Sequence, residues 1–194
     1  MKALPVDAVL IVIDVQQAFN DPSWGQRNNT SAESNIAALL AEFRATRRPI
    51  IHVQHRSQRS DSLFHPDNPG FNVKPEAEPM ADEPVIYKNV NSSFIGTDLE
   101  QRLRKMGATT LVICGITTDH CVSTTTRMAG NFGFVTYLAG DATATFERRG
   151  PDGRYFSAQD MYDTALASLH GEFATVVSTA AVQMALQSDG GSAG

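Results

Sequence analysis

The stretch TTLVICGITTDHCVSTTTRMAG, residues 109–130, changes character in its middle. Residues 110–114 are almost continuously apolar, as expected of a strand buried on both faces. Gly115 ends the run, a short loop of small and hydroxylated residues follows, and a helical stretch begins near Cys121. A buried strand passing directly into a helix is half of a βαβ unit, so this segment points to a parallel sheet covered by helices.

The rest of the chain repeats that pattern. Strands are expected at VLIVID (9–14), PIIHVQH (49–55), PVIYK (84–88), TLVICG (110–115), FVTYLAGD (134–141) and ATVVST (174–179). Helical periods separate them. In residues 30–46, Ile36, Leu40 and Phe43 share a face and Thr30 with Glu33 fits a capping box. In 97–107, Thr97 and Glu100 form the expected box, Leu99, Leu103 and Met106 the stripe, and Gly107 the stop. Residues 157–171 follow the same scheme, ending at Gly171. The expected architecture is a three-layer α/β/α, Rossmann-like fold around a mostly parallel six-stranded sheet. Residues 56–83 and 144–156 fit neither period and are expected to be long loops with functional weight.

With 194 residues, 42% hydrophobic and 19% charged, the chain fits one domain, expected over residues 1–185, with a flexible tail at 186–194. A formal net charge of −5 gives nothing for nucleic acid or an acidic membrane surface to hold. The amino-terminal apolar run is too short to span a bilayer and lacks a secretory cleavage pattern, so a cytoplasmic location is expected. Two cysteines, Cys114 and Cys121, cannot make a disulfide framework or a C-x-x-C motif.

In an open parallel sheet, ligands bind beyond the carboxyl ends of the strands. Asp14, His55 and Lys88 end three strands, and Cys121 follows a fourth. Each has a plain structural alternative: Asp14 as a turn cap, Lys88 as a solvated strand end, Cys114 as a small core residue. Cys121 differs, because a thiol in the first turn of a helix meets unpaired amides and the positive end of the dipole, which favour thiolate. An acid, a cation and a thiol brought to one edge by separate strands point to a nucleophilic, hydrolytic set. His120 neighbours the thiol, but adjacent helical residues diverge, so it reads as a lip residue rather than its base.

Taken together, VLIVIDVQQAF, VIYKNVNSSFIGTDLEQRL and LVICGITTDHCVSTTTRMAGNFGFVTYLAGDATAT resemble the isochorismatase-like cysteine hydrolases over about residues 8–180. The resemblance implies Asp14, Lys88 and Cys121 as a catalytic triad, a cis peptide between Ile116 and Thr117, and an oxyanion hole from the amides of Thr117 and Cys121. It also implies a thioester route, with Asp14 moving the proton, and a small amide, ureide or carbamoyl substrate. Phe19, Trp24, His55, Asn91, Ser92, Phe94, Thr118 and His120 are the expected substrate-binding residues. Arg148, Arg149 and Arg154 read as a solvated cluster.

Nicotinamidases of that family carry a metal on the second strand, where this chain reads IIHVQHRSQ. His52 and His55 are three apart and face opposite sides of a strand, so no metal and no cofactor are expected. A small-molecule substrate and a homo-oligomer, dimer or tetramer, are expected. Two alternatives stay open: vinyl-ether hydrolysis of the isochorismatase type, and a catalytically silent metabolite binder.

Overall fold

The structure, a computed structural model, describes residues 2–188. In chain order the elements are β1 (Val9–Ile13), α1 (Ala32–Ala45), β2 (Ile50–His55), β3 (Val85–Lys88), α2 (Leu99–Lys105), β4 (Thr110–Ile116) and α3 (Ser123–Asn131). They continue with β5 (Val135–Ala144), β6 (Arg148–Arg149), β7 (Tyr155–Phe156), α4 (Ala158–Leu169), β8 (Thr175–Val177) and α5 (Thr179–Gln187). All six expected strands form one sheet in the order β3-β2-β1-β4-β5-β8, and every pair is parallel. The short β6–β7 ribbon is antiparallel and turns at Pro151–Gly153 within the second irregular stretch.

Strand alternation divides the core into two halves. Val9, Ile11, Ile13, Leu111 and Ile113 face the side covered by Leu99 and Leu103 of α2, Ala129 of α3 and Leu169 of α4. Leu10, Val12, Val112 and Cys114 face the other side, against Ile36, Leu40 and Phe43 of α1 and Val182 and Leu186 of α5. Both faces of the central strands are buried, which is why their sequences are continuously apolar. Cys114 is fully buried core, as expected.

The chain steps outward from β1 to β2 and β3, then returns to lay β4, β5 and β8 on the opposite side. The reversal lies between β1 and β4, and a crevice opens beyond their carboxyl ends. Gly115 permits the close approach there: its φ is +132°, and a Cβ on it would lie 2.0 Å from the Ile13 carbonyl oxygen.

Local details depart from the sequence reading. Helix α1 starts after Ser31 without a side-chain cap, and the Thr30–Glu33 box does not form. Glu33 instead accepts from Arg27 (2.7 Å) and Lys74 (2.6 Å), charged donors that a backbone amide does not match. The Thr97–Glu100 box is also absent, since Asp98 precedes α2 and Thr97 Oγ1 donates to the Ser93 carbonyl (2.5 Å). Met106 lies just past α2 and is 45% exposed, so it is not part of the buried stripe. The box at Ser157 and Asp160 does form. Leu186 and Gln187, expected in the tail, belong to α5, and the remainder of that tail from residue 189 lies outside the described residues. No helix among the described residues is long and apolar enough to cross a membrane.

Candidate active site

Asp14 leaves β1 with φ of +51°, a conformation that Asp tolerates better than most residues. Its amide still donates to Val53 O (2.8 Å), so the backbone stays tied to β2 while the side chain turns into the crevice. Lys88, the last residue of β3, pairs in register with His55, the last of β2. Cys121 lies in a π-helical turn, Thr118–Val122, that precedes α3, rather than in the first turn of an α-helix. Such turns widen the helix and recur at functional sites. Here Val122 N donates to Thr117 O (3.2 Å), and the preceding Ile116–Thr117 peptide is cis.

These elements bring the three reactive side chains together. Lys88 Nζ donates to Asp14 Oδ2 at 2.6 Å and lies 3.4 Å from Cys121 Sγ, with the Val90 carbonyl at 3.2 Å. The Lys88 and Asp14 side chains are 0% and 1% exposed, so their charges meet each other rather than water. Asp14 Oδ1 is buried and has no hydrogen-bond partner among the described residues, leaving an acceptor free beside the thiol.

The thiolate expected from the sequence is not favoured here. Burial pushes the Cys121 thiol up, the negative Asp14 pushes it further, and Lys88 offsets only part of this. At rest the residue is a thiol with a carboxylate at hand to take its proton.

His55 Nδ1 lies 3.4 Å from Lys88 Nζ. An ammonium only donates, so Nδ1 accepts and Nε2 carries the ring proton. Burial, then the positive Lys88, lowers the His55 pKa and keeps the ring neutral. Its backbone is held by buried Gln16, whose Oε1 accepts from His55 N (2.8 Å) and whose Nε2 donates to His55 O (3.1 Å).

A cavity of about 160 Å³ opens onto these groups. Asp14, His55, Cys121 and Thr117 form one part of its wall, Phe19, Trp24 and Phe64 another, and Asn91 and His120 stand at its exposed rim. Phe19, Trp24, His55, Asn91 and His120, expected at the substrate, all line this cavity. Ser92, Phe94 and Thr118 do not line the cavity. Ser92 Oγ is turned to Met128 Sδ, Phe94 packs against Phe132 and Phe134 in the core, and Thr118 Oγ1 donates to Thr143 (2.9 Å). Phe64 was not foreseen: it comes from the long 56–83 stretch and stacks edge-on against His55 and Phe19. A wider depression of about 600 Å³, beside Arg44 and Met80, lies at the starting ends of β2 and β3, away from this chemistry.

Asp14, His55 and Cys121 each place a potential ligand atom within 4.8 Å of the others. The Lys88 ammonium approaches all three at 2.6–3.4 Å and holds the position a metal ion would need. His52 cannot supplement the set, because its Nε2 is paired with Glu83 Oε2 (2.8 Å). These residues do not fit a metal.

The Isochorismatase domain model matches residues 8–181. The chain is 52% identical over 170 residues to the isochorismatase family protein YrdC of Bacillus subtilis, covering 88% of this chain and 91% of that one. It is 29% identical to Nicotinamidase 3 of Arabidopsis thaliana, covering 88% and 84%, and 29% identical to a streptothricin hydrolase of Streptomyces noursei, covering 82% and 55%. An isochorismatase-family structure from Chromobacterium violaceum superposes with a TM-score of 0.95 at 42% identity, covering 97% of both chains. A cysteine hydrolase from Pseudomonas syringae superposes with a TM-score of 0.87 at 25% identity, covering 97% and 96%. With this sheet order, this crevice and these relatives, the chain belongs to the isochorismatase family and is a hydrolase.

Proposed function

We propose that this hydrolase cleaves a C–N bond of a small amide, ureide or carbamoyl compound through a thioester on Cys121. The observation that carries the proposal is the position of Lys88 Nζ between the Asp14 carboxylate and the Cys121 thiol. Asp14 Oδ1 removes the thiol proton as Sγ bonds to the substrate carbonyl carbon. Lys88, within reach of both groups, stabilises the single negative charge as it moves from the Asp14 carboxylate to sulfur. The carbonyl electron pair moves onto oxygen, and we assign the amides of Thr117 and Cys121 to hold that oxyanion.

Collapse of the tetrahedral intermediate breaks the C–N bond. Protonated Asp14 gives its proton to the departing nitrogen, which leaves as ammonia or an amine. Water, deprotonated by Asp14, cleaves the thioester; the acid product leaves and the thiol regains its proton. A raised thiol pKa suits this sequence, since the proton Asp14 needs for the leaving group is still on sulfur when substrate arrives. The relatives named nicotinamidase and cysteine hydrolase support the same chemistry.

The test is ammonia release from a panel of amides, ureides and carbamoyl compounds, with the native protein beside Cys121→Ala. Release that disappears in the variant supports the proposal. Release that persists removes the nucleophile from the account.

A further inference from the structure

The wall facing the nucleophile is aromatic. The Phe19 ring centroid lies 5.1 Å from those of both Trp24 and Phe64, and the Trp24–Phe64 separation is 6.3 Å. Phe146 closes the cluster from behind at 5.5 Å from Trp24, and the indole is fixed by its bond to Ala18 O (2.9 Å). This box is assembled from three separate segments, so its dimensions depend on tertiary packing rather than on one loop.

The volume limits what can enter. An apolar cavity of about 150 Å³ holds benzene, with six heavy atoms. The cavity here is about 160 Å³, and a carboxamide group uses three heavy atoms. The remaining space suits an acyl substituent of about three carbons.

Charge limits it further. Among the described residues no arginine or lysine lines the cavity, and Lys88 behind it is engaged by Asp14 at 2.6 Å. His55 is held neutral. A carboxylate pressed against the aromatic wall would lose its water beside the buried Asp14 anion, away from the polar side chains of Asn91 and His120 at the rim.

We infer that the substrate is a compact, uncharged carboxamide with a short branched or unbranched aliphatic acyl group, which the Phe19–Trp24–Phe64 box receives while its carbonyl meets Cys121. This rests on the C–N hydrolase reading above. Phe64 sets the size limit, because it is the ring supplied by the long 56–83 stretch and closes the box over His55.

The experiment has two arms. In the first, kcat/KM is measured for isobutyramide, benzamide and malonamate, with native protein and with Phe64→Ala. Isobutyramide is expected to lead both others by at least about tenfold, and Phe64→Ala to move the preference toward benzamide by a similar factor. Cys121-dependent release led by malonamate or benzamide in the native protein overturns the substrate class and leaves the hydrolase reading standing. Absence of Cys121-dependent release from every compound overturns both.

In the second arm, binding is followed in Cys121→Ala by emission of Trp24, the only tryptophan. A saturable change is expected with isobutyramide at concentrations where malonamate gives none. An equal or stronger response to malonamate, or none to isobutyramide, overturns the inference.

Discussion

Lys88 Nζ and Asp14 Oδ2 are 2.6 Å apart, and both side chains are sealed from solvent. Removing one member of such a pair leaves a buried charge unanswered, at a cost of about 3–5 kcal/mol, whereas removing both is far milder. Lys88→Met is therefore expected to lower the thermal midpoint sharply and to abolish turnover. Lys88→Met combined with Asp14→Asn should recover much of the stability and none of the activity. Thermal unfolding of the single and double variants, beside their ammonia release, checks this.

The raised Cys121 pKa makes a second prediction. In the folded state the thiol stays protonated above the ordinary cysteine pKa of about 8.5, whereas the unfolded chain ionises there. The unfolded state then holds fewer protons, so this residue's contribution to stability declines as pH rises above about 8.5. Iodoacetamide labelling of Cys121 is expected to be slow at neutral pH and to accelerate in alkali. Fast labelling at neutral pH would mean a resting thiolate.

At the acid end, two carboxylates dominate. Burial alone would raise Glu33, but Arg27 and Lys74 bring it down to about 2. Glu83, likewise pushed up by burial, is brought to about 2 by Arg44, the Met80 amide and His52. Both contribute stability above the ordinary glutamate range, and that stability is lost as pH falls from about 4.5 toward 2. Glu33→Gln should flatten the acid limb of the stability curve. An unchanged limb would show that the Arg27 and Lys74 contacts do not persist in solution.

Gly115 permits no side chain. With φ of +132° and a Cβ position 2.0 Å from Ile13 O, Gly115→Ala must push β4 from β1 at the point where Asp14 emerges. Loss of soluble folded protein or of all activity is expected. Gly107→Ala, at φ +70° with open space around it, is the control, expected to cost about 1 kcal/mol.

Much of this site can be read in the sequence, because the apolar strand runs are unmistakable and each reactive residue sits at or just past the end of one. Asp14, Lys88 and Cys121 are placed by the register of a parallel sheet, which alternation and turn signals specify well. Phe64 could not be read in the same way. Its stretch has no period, and which of its side chains turns inward depends on docking against Phe19 and His55. Ser92, Phe94 and Thr118 show the converse: closeness in sequence to Lys88 or Cys121 does not fix direction, and all three turn into packing contacts. The capping box at Glu33 fails because Arg27 and Lys74, distant or unpaired in the sequence, compete for the carboxylate. The thiolate expectation fails because a helix dipole is a weak, local effect, whereas desolvation of a buried sulfur is a large one.

Acid-quenching the protein during turnover of isobutyramide asks whether Cys121 forms a covalent acyl intermediate with Asp14 moving the proton. The intact mass and the Cys121 peptide would then be measured. An added isobutyryl group on Cys121 is expected, absent from Cys121→Ala and from Asp14→Asn. Steady ammonia release with no mass added to Cys121 would rule out the thioester.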